Sequence, residues 1–154
     1  MGREDLEKRL RILEDTEAIR NLKALYGEIC DDSYRTDRMR ELFTPDAIWD
    51  GGDTWGVYHG IDRIMAFFDE AGKSITGVHF FVQPKIKIIS ETQAEASWYL
   101  LQQGTKGDMA FWLSAMEYEK YEKIGGKWLF KEIKFIPFFA TRYEVGWHKE
   151  KMCL

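Results

Sequence analysis

The sequence predicts an α+β protein: three N-terminal helices packed on a strongly curved, mostly antiparallel sheet. Three observations carry this. Through residue 71, apolar residues recur at spacings of three and four. From residue 76 the period changes to two. The breaks between the period-two segments are short and rich in turn residues. Residues 3 to about 31 read as one long helix, with Leu13, Ile19, Leu22, Leu25, Tyr26, Ile29 and Cys30 in a single apolar stripe. Glu4 and Asp5 suit its positive end. Residues 36–43 (TDRMRELF) form a short second helix. TPDAIWDGG then reads as a turn, a short strand and a Gly pair. Residues 60–71 form the third helix, with Ile61, Ile64, Met65 and Phe68 at helical spacing. Four long strands follow over 76–89, 94–104, 109–122 and 127–139. Helices first and an antiparallel meander second put the helices on one face of a curved sheet. The interior of such a cone is the natural pocket.

The chain has 154 residues, the size of one domain: helices about 3–71, sheet about 76–139 and a tail over 140–154. Twenty-two basic against 26 acidic residues leave a net charge of −4, and no basic patch stands out, so nucleic acid is not an expected partner. No apolar run is long enough to span a membrane. The charged N-terminus lacks the apolar core of a signal peptide. Cys30 and Cys153 are too few for a disulfide framework or a four-ligand zinc site, and reduced thiols suit a cytoplasmic protein. Phosphate loops, nucleotide fingerprints and a nucleophile elbow are absent.

The aromatic content, 15%, is the unusual quantity. Trp49, Trp55, Tyr58, Phe67, Phe81, Trp98, Trp112 and Phe138 can wall a hydrophobic pocket or simply fill a core. His79 lies in the apolar strand TGVHFFVQPKI, sharing a face with Phe81 and Gln83. It is either a hydrogen-bonded core residue or the imidazole base of a proton transfer. Asp31 and Asp32, at the negative end of the long helix, must be solvated, paired or functional. Tyr26 points inward from the same helix. Gln102 shares a face with Trp98 and Leu100 and can bind a carbonyl or hydroxyl. No His or Cys stands at ligand spacing from His79, so no metal is expected. In the tail, Trp147 and Met152 either cover the cone mouth or pack on the sheet.

The ordered series LEDTEAIRNLKALYGEICDD, LFTPDAIWDGG, YHGIDRIMAFF, VHFFVQPKI, ASWYL and YEKYEKIGGKWLFKEIKF resembles the SnoaL-like branch of the nuclear transport factor 2-like superfamily, over residues 10 to 140 or so. Its functional resemblance is to dehydratases of the bile acid 7α-dehydratase and scytalone dehydratase kind. The resemblance implies a cone-shaped, cystatin-like barrel, no cofactor, and a homo-oligomer, dimer or trimer. It also implies a His held by an Asp as the base of an elimination. Matched residue by residue, the catalytic set is Tyr26, Asp31 and His79, while counting back from Phe43-Thr44-Pro45 favours Asp32 over Asp31. Two positions depart from the pattern. Gln102 stands where the bile acid enzyme has a second Asp, and Pro137 where it has an Arg; Arg142 lies five residues late. Three functions follow as expectations. The first is a lyase, by elimination or a related isomerisation, on a small hydrophobic cyclic substrate. The others are a non-catalytic binding module for such a molecule and a scaffold resembling a dioxygenase small subunit.

Overall fold

A computed structural model describes residues Gly2–Leu154. Helix α1 (Arg3–Asp31) buries Ile19, Lys23, Tyr26, Gly27, Ile29 and Cys30. Its buried stripe starts at Ile19, later than expected: Leu13 is more than half exposed, as are Leu6 and Leu10 before it, and Leu25 also faces outward. The boundary is Asp15, which accepts a hydrogen bond from Trp128 Nε1 (2.8 Å) and pairs with Lys123 (2.6 Å). Gly27 lets the helix lie close to the sheet, since a Cβ there would sit 3.3 Å from the Phe81 ring.

Helix α2 (Thr36–Met39) and a 3-10 turn (Arg40–Leu42) lead into strand β1 (Phe43–Asp50). The segment expected as a turn and short strand is thus an eight-residue strand. Pro45 is accommodated because the pairing shifts register between Phe43 and Ile48, where its missing N–H is not needed. A short helix α3 (Gly52–Trp55) and strand β2 (Val57–His59) follow, then α4 (Ile61–Gly72), which buries Ile64, Met65 and Phe68. His59 pairs with Ile48 in the β1–β2 ladder.

The period-two region forms β3 (Ile75–Ile88), β4 (Gln93–Lys106), β5 (Met109–Ile124) and β6 (Lys127–Arg142). They make the expected antiparallel meander. The full sheet has six strands in the order β2-β1-β6-β5-β4-β3, and β1 pairs with β6 in parallel. It ends at β2 and β3 without closing, so the cone is an open curved sheet and not a barrel. A register shift between Val82 and Lys85, with Gln83 at φ 52°, bends β3.

Alternation decides which aromatics face α1. Inward are Trp98, Leu100 and Gln102 on β4, Phe111 and Leu113 on β5, and Phe130, Ile133 and Phe135 on β6, all buried. Outward are Val78, Phe80, Val82, Tyr99, Leu101, Tyr118, Ile136 and Phe138, each 39–50% exposed. Trp112 lies between the inward Phe111 and Leu113 and so points away from the core, and Phe138 packs on Tyr99 outside (6.2 Å). The expectation that these two wall the pocket is corrected on that ground. The tail folds back on β6. Arg142 pairs with Glu150 (2.8 Å), and Ala140 exchanges backbone bonds with Lys151 and Cys153 (both 2.7 Å). Trp147 stacks on Phe139 (4.9 Å) and Met152 is exposed. Leu154, not either of these, reaches the inner cavity. Among the described residues no helix is long and apolar enough to cross a membrane.

Candidate active site

Asp31 is the last residue of α1, and β3 runs against that helix. The Asp31 Oδ1 atom accepts a hydrogen bond from the His79 backbone N–H (2.9 Å) and lies 2.8 Å from His79 Nδ1. A carboxylate at Nδ1 makes that nitrogen the protonated one and leaves the Nε2 lone pair free to act as acceptor or base. The His79 side chain is 6% exposed. Asp32 turns the other way, toward Arg38 (3.5 Å) and Arg35 (4.0 Å), so the contact with His79 is made by Asp31.

The phenol next to His79 belongs to Tyr34, whose hydroxyl is 3.2 Å from Nε2. Tyr34 follows the end of α1 in a turn where both Ser33 (φ 56°) and Tyr34 (φ 53°) are left-handed and the Tyr34 N–H bonds Cys30 O (3.3 Å). The turn folds its ring onto Phe68 (5.6 Å, nearly parallel) and edge-on to His79. Burial drives the Tyr34 phenol well above its ordinary range, with a hydrogen bond from Gln102 acting against it. It therefore stays protonated, a donor. Sequence reasoning missed Tyr34. Left-handed turns are signalled by Gly or Asn, and this one contains neither.

Tyr26 is buried among Phe43, Phe68, Phe81 and Phe130, with ring centroids 5.2–6.3 Å away. It lines the cavity, but the hydrogen bond to His79 is Tyr34's. Gln102 is the cross-strand partner of His79 and is 4% exposed. Trp49, Trp55 and Phe81 join these residues in a largely apolar cavity of about 80 Å³. Tyr58 stands one layer back, stacked on Phe67 (4.5 Å). Trp98 lies deeper, its Nε1 bonded to Tyr121 Oη (3.2 Å). Among the described residues no group of three or more His, Cys, Asp or Glu is placed to hold a metal ion.

Beneath the cavity lies an ion cluster the sequence did not suggest. Lys23 on α1 bonds both Glu117 and Glu119 on β5, and Tyr121 donates to Glu119. All four side chains are essentially buried. Lys23 also sits over the Phe81 ring (3.8 Å). One cation facing two carboxylates leaves a surplus negative charge, which burial penalises. Burial pushes the Glu119 carboxyl up to about 7, against the pull of Lys23.

A raised carboxyl inverts the usual acid dependence. Between its ordinary 4.5 and about 7, folded Glu119 holds a proton that the unfolded chain has lost, so this group's contribution to stability falls as pH rises. The expected result is that Glu119→Gln gains in melting temperature relative to the wild type on going from about pH 5.5 to about pH 8. Parallel melting curves across that range would overturn it.

Residues 11–134 match the family of SnoaL-like domains. Among solved structures, a candidate scytalone dehydratase from Novosphingobium aromaticivorans is 19% identical with a TM-score of 0.80, over 88% of this chain and 92% of that one. A hexachlorocyclohexane dehydrochlorinase from Novosphingobium barchaimii is 18% identical with a TM-score of 0.78, over 87% and 93%. A nuclear transport factor 2-like protein with a cystatin-like fold, also from Novosphingobium aromaticivorans, is 19% identical with a TM-score of 0.74, over 87% and 88%. At these identities the likeness is one of fold.

Proposed function

The chain belongs to the SnoaL-like domain family, and on that premise we propose that it is a cofactor-independent lyase acting on a small hydrophobic cyclic substrate. The observation that carries this is the Asp31–His79 pair on the wall of an apolar cavity. His79 Nε2 removes a proton from carbon, the C–H electrons form a double bond, and the adjacent C–O bond breaks. The imidazolium then returns the proton to the departing hydroxyl, which leaves as water. Asp31 holds the ring in the correct tautomer and stabilises its charged form. At 3.2 Å the Tyr34–His79 bond is at the loose end for such contacts. A substrate oxygen can take over the Tyr34 hydroxyl and so release Nε2. Gln102 supplies a second donor for that oxygen. The same base returning the proton to a different carbon would give an isomerisation.

The cavity volume bears on the substrate. About 80 Å³ is roughly half of an engineered cavity known to admit benzene, so a ring enters by displacing lining residues. The test is a panel of cyclic β-hydroxy ketones, followed by the absorbance of the conjugated enone. Turnover of one of them, abolished in His79→Ala, supports the reading; turnover indifferent to that substitution sinks it. A second reading, binding without chemistry, is favoured by the uncharged Gln102 beside His79. It predicts a ligand retained through purification and never converted.

We propose further that copies of the chain associate through the outer sheet face, where Val78, Phe80, Tyr99, Leu101 and Phe138 stand 40–50% exposed on β3, β4 and β6. The expected result in light scattering is a dimer or trimer, converted to monomer by Phe80→Lys with Phe138→Lys. A wild-type monomer at high concentration would remove the proposal.

A further inference from the structure

The cavity has a second polar end. Across the inner face of the sheet, residues stand in rows: Gln102 and Leu113 with His79, then Leu100 and Ala115 with Phe81, then Trp98, Glu117 and Phe135. Glu117 is four residues along β5 from the His79 row, about 14 Å at 3.4 Å per residue. The residue between is Ala115, the smallest side chain of the middle row. Glu117 lines the same cavity as His79 while its carboxylate is held from behind by Lys23. A carboxylate has about four lone-pair positions, and Lys23 takes one on Oε2.

A donor stands at the same end. Trp49 is stacked on Phe135 (6.0 Å), the cross-strand partner of Glu117, and also lines the cavity. Its indole is fixed in place: a Cβ at Gly51 would lie 2.4 Å from its benzo edge, opposite the nitrogen. Among the described residues, Trp49 Nε1 is the buried side-chain polar atom that has no hydrogen-bond partner. A buried donor without an acceptor is costly and calls for an explanation.

We propose that the inner end of the cavity is a hydroxyl-binding subsite, in which Glu117 accepts from the hydroxyl of a ring substrate and Trp49 Nε1 donates to it. An alcohol or phenol is the small group that satisfies an acceptor and a donor together. A protonated amine would leave the indole unpartnered, and a carbonyl would leave the carboxylate facing another acceptor. The subsite reads the end of the substrate remote from the carbon at His79, and so rests on the cavity being the ligand site.

The test uses phenol and toluene, rings of nearly equal size, with binding followed by tryptophan fluorescence and calorimetry. The wild type is expected to prefer phenol by about tenfold, the value of one good hydrogen bond. The preference should fall to about twofold in Trp49→Phe and shrink in Glu117→Gln, which serves if Trp49→Phe does not fold. It should survive in His79→Gln. Equal affinity in the wild type overturns the proposal. So does a preference that persists in both inner-end variants, or one lost in His79→Gln, which would put the hydroxyl at the other end. None of these outcomes touches the role of His79 in turnover, which is measured separately.

Discussion

His79→Ala is expected to lower kcat by about 10²- to 10⁴-fold with little change in KM, the range for removing a positioned general base. The small change in KM follows from the surroundings: the cavity wall near His79 is mostly aromatic and binds the ring whether or not the imidazole is present. Asp31→Asn should cost a comparable factor for a different reason. The Asp31 oxygen takes both the His79 backbone N–H and the Nδ1 proton. An amide can turn its NH₂ toward Nδ1, which moves the ring proton to Nε2 and leaves no base facing the substrate. The base would be present and in the wrong tautomer. Tyr34→Phe should cost about tenfold, since one neutral donor is lost. Single-turnover rates on the substrate identified by the panel check all three. Asp31→Asn at the wild-type rate would refute the pairing.

Lys23→Met is expected to destabilise the fold by about 3–5 kcal/mol, the usual result of stripping a buried ion cluster of one partner. Met matches the stem of Lys in length, so packing is nearly kept and the loss is electrostatic. Glu117 and Glu119 would then face each other without a cation, and at least one must bind a proton at neutral pH. In melting temperature this is about 10 °C for a chain of this size. The companion variant separates charge from packing. Lys23→Met with Glu119→Gln removes one cation and one carboxylate, and should recover part of the loss. If the double variant melts no higher than the single one, the destabilisation is not the uncompensated charge.

This cluster also shows where reading the sequence stops. Strand alternation over 76–139 and the inward His79 were legible because side chains on a strand alternate strictly, and each residue's neighbours report its face. The same rule applied to Trp112, between Phe111 and Leu113, already points it outward; aromatic content alone does not. Lys23, Glu117 and Glu119 carry no such signal. Each alone reads as a solvated charge, and only the packing of α1 on β5 makes them partners. The full length of strand β1 was hidden for a related reason. Its Pro and Asp residues speak against a strand, and it exists because β6 offers it an edge. Tyr34 was hidden by a turn whose left-handed residues are Ser and Tyr.

The parallel pairing of β1 with β6 bears on the order of assembly. Strands β3 to β6 are joined by turns of a few residues, so each of their pairings closes a small loop at low entropic cost. Joining β1 to β6 must instead close a loop containing four other strands and two helices, the kind of contact that slows folding. Asp31 and His79 lie on opposite sides of that junction in sequence, one before β1 and one after β2. A chain that has formed only its hairpins has the imidazole in place and no carboxylate to orient it. The reactive pair is therefore a property of the finished topology, and a chain arrested with α1 undocked from β3 would be rich in strand and catalytically silent.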